Sequence, residues 1–239
     1  MKQVLSLTRK ELNSYFSSPM ALIFVGVFLA ATLFTFFWVD EFFARGIADL
    51  RPMFRWMPTL MIFLAAALTM RQWSEEQQSG TLEILFTMPM KLAQLVLGKF
   101  LSGVAVLVNM TLLTAYMPAL IFLHGKVSLG HVAAGYMGLM LIGSAAIALG
   151  LLCSALAPNQ LVAAILGSAT VATFVLLWLL SRIASPPIEN LVAYLSLHDK
   201  HFRPFIRGLV SIQDVVFYVS LTYVALLGAT RVMEARRWH

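Results

Sequence analysis

The stretch "VSLGHVAAGYMGLMLIGSAAIALGLLCSALAPNQLVAAILGSATVATFVLLWLLS", Val127 to Ser181, contains no Asp, Glu, Lys or Arg. A helix that crosses a bilayer needs about 20 consecutive, predominantly apolar residues, so this run is long enough for two. It is interrupted once, at "SALAPNQ" (Ser154–Gln160), where Pro158 and Asn159 are turn formers suited to joining antiparallel helices. The stretch therefore predicts two spans, at 131–155 and 160–181, and with them a polytopic membrane protein.

Four further apolar runs flank it. Pro19–Val39 and Phe100–Gly125 carry no formal charge, Trp56–Met70 is bracketed by Arg55 and Arg71, and Val215–Thr230 lies between Asp214 and Arg231. They predict spans at 19–39, 56–72, 98–123 and 212–231. The composition agrees, with 60% hydrophobic and 12% charged residues against about 25% charged in soluble domains. The expected fold is all-α: one membrane domain over 1–239 with six transmembrane helices, an N-terminal interfacial amphipathic helix and a short cytoplasmic helix between the second and third spans.

The first run is too long for a signal-peptide core and is followed by no small-residue cleavage pattern, so it reads as a retained span. The single cysteine, Cys153, excludes a disulfide framework or a cysteine-based metal site within the chain and reads as a packing residue. The net charge of +6 comes from basic residues scattered singly beside spans, which points to anchoring at the membrane surface and not to nucleic acid. With the N-terminus inside, nine Lys and Arg face the cytoplasm and eight face out, a bias of one.

Residues 1–18 predict a helix lying in the membrane interface. Val4, Leu5, Leu12, Tyr15 and Phe16 share one arc, with Gln3, Lys10, Asn13 and Ser14 opposite. Asp40–Arg55 is a mixed-charge connector. The longer connector 183–213 contains Pro186, Pro187 and Pro204, and its apolar content predicts short membrane-associated helices on the non-cytoplasmic side.

The segment "EEQQSGTLEILFTMPMKLAQLVLGKF", Glu75–Phe100, breaks the apolar pattern. Gly80 permits a sharp reversal, Thr81 can cap a helix start, and Glu83 in the first turn complements the positive helix end. Leu82, Leu85 and Phe86 then share a face, and Pro89 ends the helix. Such a short amphipathic piece at 73–97, held at the membrane edge, is suited to docking on another protein.

Glu76, Gly80, Thr81, Glu83, Leu85, Pro89, Gly98 and Lys99 resemble the pattern in permease subunits of type-2 ABC transporters. "HFRPFIRGLVSIQDVVFYVSLTYVALLGAT", His201–Thr230, is similar to the final-span signature of the gliding-motility-type and nitrous-oxide-reductase-maturation-type permeases, at Phe202, Phe205, Gly208, Asp214 and Tyr218. "RKELNSYFSSP", Arg9–Pro19, resembles the N-terminal helix of the same permeases. The chain departs from the pattern at Gln77 and Gln78, where basic residues are commoner, and at Met90-Lys91.

The resemblance implies a permease subunit, with export favoured, that pairs with a second copy of itself or a similar permease and with a separate ABC ATPase subunit. That ATPase would hold ATP and Mg; this chain would bind no cofactor. It implies that Glu75, Glu76, Thr81 and Glu83 make polar contacts with the ATPase, that Leu82, Leu85 and Phe86 form the apolar seat, and that Gly80 sets the turn. Lys99, Phe202, Phe205, Gly208, Asp214 and Tyr218 belong to the motif without an assigned role. The expected location is a bacterial inner membrane with both termini cytoplasmic; an accessory subunit is left open, as is the substrate.

Catalysis by the chain itself is not expected. Gly98-Lys99 is followed by Phe100 and lacks the glycine-rich loop that cradles phosphates, and no H-E-x-x-H or G-x-S-x-G is present. His198 and His201, with Asp199 between them, read as interfacial polar residues and not as a metal site. No ionisable residue falls well inside a predicted span, which disfavours an ion-coupled carrier. Ala134, Gly138, Gly143, Gly150, Ala163 and Gly167 predict close helix approach. Asn109, Thr111, Thr170 and Thr173 are polar positions suited to lining a path or to satisfying the backbone. A membrane scaffold that recruits partners without transport is the competing class.

Overall fold

The computed structural model describes residues 2–17, 19–47, 49–87, 90–124, 128–183, 185 and 188–237. Pro89, Lys126, Pro186 and Pro187 lie outside them, as do the side chains of Phe86 and His124. The described chain is all-α, and six of its helices are long and apolar enough to cross a membrane.

Helix α1 (Lys2–Ser17) precedes α2 (Pro19–Phe34), so Pro19 starts the second helix, where its missing N–H costs nothing. Helix α2 widens into a π turn, Thr35–Val39, in which the Asp40 N–H donates to the Thr35 carbonyl at 3.0 Å. A short helix α3 (Phe42–Arg45) leads to α4 (Arg51–Thr69). That span begins five residues before the expected 56, because Pro52 is pre-organised for a first helical turn and Arg55 points out of the bundle.

Two short helices follow, α5 (Ser74–Gln78) and α6 (Thr81–Thr87), then α7 (Leu92–Thr114) and α8 (Tyr116–His124). Helix α7 starts at Leu92, earlier than expected, where the Lys91 N–H donates to Gln94 Oε1 at 3.2 Å. Its break at Ala115 follows from Pro118, which has no N–H for the Thr114 carbonyl. Helix α9 (Leu129–Leu156) turns at Pro158-Asn159 into α10 (Gln160–Ser181), where Asn159 Oδ1 accepts from the Val162 N–H at 2.9 Å. The 183–213 connector carries α11 (Ile188–Leu195) and α12 (Asp199–Ile206), and α13 (Ile212–Arg236) closes the chain.

Helix α9 is the centre, packed by α4, α7, α10, α12 and α13. Small residues permit this, as the sequence predicts. A Cβ at Gly138 would stand 2.8 Å from Phe205, and Gly143 and Gly150 press on Leu107 and Thr69. In lipid, where tails are as apolar as side chains, such close packing replaces the hydrophobic drive. Thr111 and Thr173 satisfy their own helices by donating to the Leu107 and Ala169 carbonyls. Asn109 is exposed on α7.

Helix α1 is rotated from the expected arc. Leu7 and Thr8 are buried, whereas Leu5 and Phe16 are 65% and 46% exposed. The reason lies on α7: Gly98 leaves room for Leu7, and Thr8 Oγ1 donates to the Gly98 carbonyl at 3.2 Å. At this end of the bundle Leu7, Trp73, Leu85, Leu95, Ala155 and Met233 form a second apolar cluster, separate from the main core.

Candidate functional site

Helices α5 and α6 form a tight hairpin at the end of the bundle where α1 and the end of α13 lie. Gly80 makes the reversal at φ +69°, a left-handed conformation that residues with a Cβ adopt only at a cost of about 1–2 kcal/mol. Thr81 is the first residue of α6 and not its cap, and its hydroxyl donates back to the Glu76 carbonyl at 3.4 Å. Glu83 lies in the first turn of α6 and is exposed, as are Thr81 and Glu75. Leu82 is half-buried.

Two residues expected to face a partner turn inward instead. Leu85 is 6% exposed and belongs to the second apolar cluster. The Glu76 carboxylate reaches Lys99 Nζ at 2.9 Å. Lys99 also donates to Glu11 Oε1 at 3.3 Å, and its ammonium lies 5.0 Å from the centre of the Trp73 ring. The Lys99 side chain is 1% exposed, so the expectation that the spans hold no buried charge is wrong at this position. Helix α7 starts well before Gly98, which places Lys99 in its second turn, and both acids come from segments distant in sequence.

An isolated buried ammonium is disfavoured by several kcal/mol; two carboxylates and an aromatic face offset that here. The result ties α1, α5 and α7 together through one cation. Tyr15 makes a second tie, donating to the Leu68 carbonyl at the end of α4 and accepting from Gln72 Nε2 at 3.1 Å. Burial pushes the Tyr15 hydroxyl well above its ordinary pKa, which keeps it a donor. Between these ties lies a half-open cleft of about 290 Å³, lined by Lys10, Glu11, Arg71, Glu75, Glu76 and Lys99 among others.

Glu11, Trp73, Tyr15 and Gln72 were not picked out by the sequence reading as members of this site. The available signal was Glu11: it falls at the edge of the arc of Val4, Tyr15 and Leu12, an acid beside apolar neighbours.

A buried cation in a spanning helix is thus held by a carboxylate of the helical hairpin and by one of α1. The family model described as ABC-2 family transporter protein matches residues 30–227, most of the chain. The chain belongs to that family. A comparison with curated proteins returns no match. As an ABC-2 protein it is a membrane permease subunit of an ABC transporter, has no ATPase of its own, and implies a partner ABC ATPase.

The other motif residues of this ABC-2 permease converge at the opposite end. Phe202 and Phe205 of α12 are fully buried, and both rings meet α9 at Gly138. Gly208, at φ +80°, turns the chain from α12 toward α13 beside the His131 ring. Asp214 Oδ1 lies 2.7 Å from His201 Nδ1, whose Nε2 is 2.9 Å from the Tyr194 carbonyl, and Tyr218 donates to the Leu197 carbonyl at 2.6 Å. These residues pin the connector onto α9 and α13. His201 is 1% exposed, so it is a buried partner of Asp214 and not an interfacial residue; the partner thirteen positions away was invisible to a reading of local spacing. His198 is partly buried.

Proposed function

We propose that this permease subunit forms the translocation pathway of an ATP-driven exporter and couples to its ATPase through the α5–α6 hairpin. The observation that carries the reading is the Glu76–Lys99 ion pair at 2.9 Å, which fastens the hairpin to a membrane-spanning helix. Glu75, Thr81 and Glu83 offer exposed polar contacts to the ATPase. Leu82 and Phe86 supply its apolar seat, while Glu76 and Leu85 carry displacement inward. The partner holds ATP and Mg, and this chain holds neither.

The remaining elements follow from that assignment. The hairpin end faces the cytoplasm of a bacterial inner membrane with both termini on that side, α1 lies in the interface, and the 183–213 connector lies on the far side. A second copy, or a similar permease, covers part of α7, where Asn109 is exposed near mid-span; a polar amide facing lipid alone is unfavourable. The buried unit of Phe202, Phe205, Gly208, Asp214 and Tyr218 supports placement with the gliding-motility-type and nitrous-oxide-reductase-maturation-type permeases, and its connector offers a surface for an accessory subunit.

The test is purification of tagged protein from its native cells in mild detergent, followed by mass spectrometry. A P-loop ATPase at equal stoichiometry, lost in Gly80→Pro or Glu83→Arg while the chain still inserts, is the expected result. Absence of any ATPase, under conditions that keep other membrane complexes intact, overturns the coupling role.

A further inference from the structure

At the end of the bundle opposite the hairpin lies a larger cavity of about 520 Å³, bounded by α4, the end of α10 and α12. Five arginines line it, Arg45, Arg51, Arg55, Arg203 and Arg207, beside Trp56 and Trp178. Trp178 also carries the Arg182 guanidinium over its ring at 4.6 Å.

The acids present do not neutralise this set. Asp40 takes one amino group each from Arg45 and Arg55, at 2.8 and 2.7 Å. Asp49 lies 3.8 Å from Arg51, and Asp199 lies 2.6 Å from Arg203. Arg207 has no acid partner among the described residues. Three carboxylates therefore face five guanidiniums. A guanidinium has five N–H donors, so those engaged through one nitrogen keep donors for the cavity.

His198 stands in the same wall, and its Nδ1 is buried without a hydrogen-bond partner among the described residues. Like charges gathered in a recess with aromatic walls repel one another unless an anion occupies it. Planar guanidinium forks match the oxygens of a phosphate bidentately. Tryptophans at the ends of spans favour the depth of lipid headgroups.

We propose that this cavity binds a phosphate ester, held by Arg51, Arg203 and Arg207, with His198 Nδ1 as a further contact. The chemistry is shared by a phospholipid headgroup and by a free phosphate-bearing molecule. The assignment does not depend on the coupling role of the hairpin.

Full-length protein purified in neutral detergent tests it by calorimetric titration at fixed ionic strength. The probes are inorganic phosphate, dihexanoyl phosphatidylglycerol and, as the phosphate-free control, dihexanoylglycerol. Saturable binding of inorganic phosphate, no weaker than that of the lipid, marks a site for a free phosphate ester. Binding of phosphatidylglycerol at least about tenfold tighter than phosphate, with none for dihexanoylglycerol, marks a headgroup site. In either case Arg207→Gln, which breaks no ion pair, weakens binding about tenfold, corresponding to one charge-assisted contact. Arg203→Gln combined with Arg207→Gln abolishes it, and Arg231→Gln at the other end of the bundle changes nothing. No saturable binding of either phosphate probe, equal binding of dihexanoylglycerol, or unchanged affinity in Arg207→Gln overturns the proposal.

Discussion

Glu76 on the hairpin and Lys99 inside α7 are 2.9 Å apart, an ion pair that joins the hairpin to a spanning helix. The ammonium is buried and shared with Glu11, so the loss of either acid leaves it one carboxylate partner.

Lys99→Met leaves two neighbouring acids without their cation. The expected loss is about 3–5 kcal/mol, the cost of breaking a buried pair from one side. Combining Lys99→Met with Glu76→Gln should recover part of it. Thermal unfolding of the four proteins in one detergent measures the coupling, and strictly additive losses would remove the link.

Gly138→Ala forces a methyl against Phe205, where the ring has the α9 backbone in front of it. Overpacking of this kind costs about 1–3 kcal/mol. Gly26→Ala, with nothing within 4 Å of the new Cβ, should be neutral or slightly stabilising. Equal effects at the two positions would mean that α9 and α12 do not touch there.

Asp214→Ala strands the buried His201 ring, and Tyr218→Phe leaves the Leu197 carbonyl without its donor. Both should loosen the 183–213 connector, the first by about 1–3 kcal/mol. Limited proteolysis and hydrogen exchange read this directly. Faster exchange should be confined to α11 and α12, while the amides of α9 and α10 keep their protection.

Burial holds the His198 imidazole below its ordinary pKa, and Arg203 and Arg55 push the same way against the opposing Asp199. An unfolded chain protonates this residue through about pH 6.5, whereas the folded protein resists until lower pH. The unfolded state thus binds more protons in that window, and stability falls as pH drops below about 6.5. His198→Gln should flatten the melting temperature between pH 7 and 5; an unchanged slope would assign it to other groups.

Cys153 is buried and should resist maleimide in the folded protein. Single cysteines can therefore be added without removing it. Glu83→Cys should label only from the cytoplasmic side and Arg207→Cys only from the other; labelling of both from one side would refute the six-span topology.

The spans were legible because membrane helices announce themselves through length and missing charge. The turn at Pro158-Asn159 and the fifth span, Gln160–Ser181, fell where expected. The starts of α4 and α7 were misplaced because Arg55 and Lys99 were read as boundaries, and a long cation can sit on a helix whose other faces are buried. The hairpin was legible from Gly80 and Glu83, and the inward turn of Glu76 was not. Periodicity gives the faces of one helix; which face wins is decided by a partner far along the chain, here Gly98 and Lys99 for α1. The same limit hid the pairing of His201 with Asp214.

The order of residues around Lys99 has a consequence for biogenesis. Glu11 and Glu76 leave the ribosome before their cation, so the first two spans enter the membrane with both carboxylates unmatched. Only when α7 arrives does the ammonium reach them, and α1 then docks on the third span through Leu7 and Gly98. Insertion of that third helix in register is therefore self-checking: a slip of one residue would turn α7 by about 100° against its neighbours and carry the Lys99 side chain away from the waiting acids.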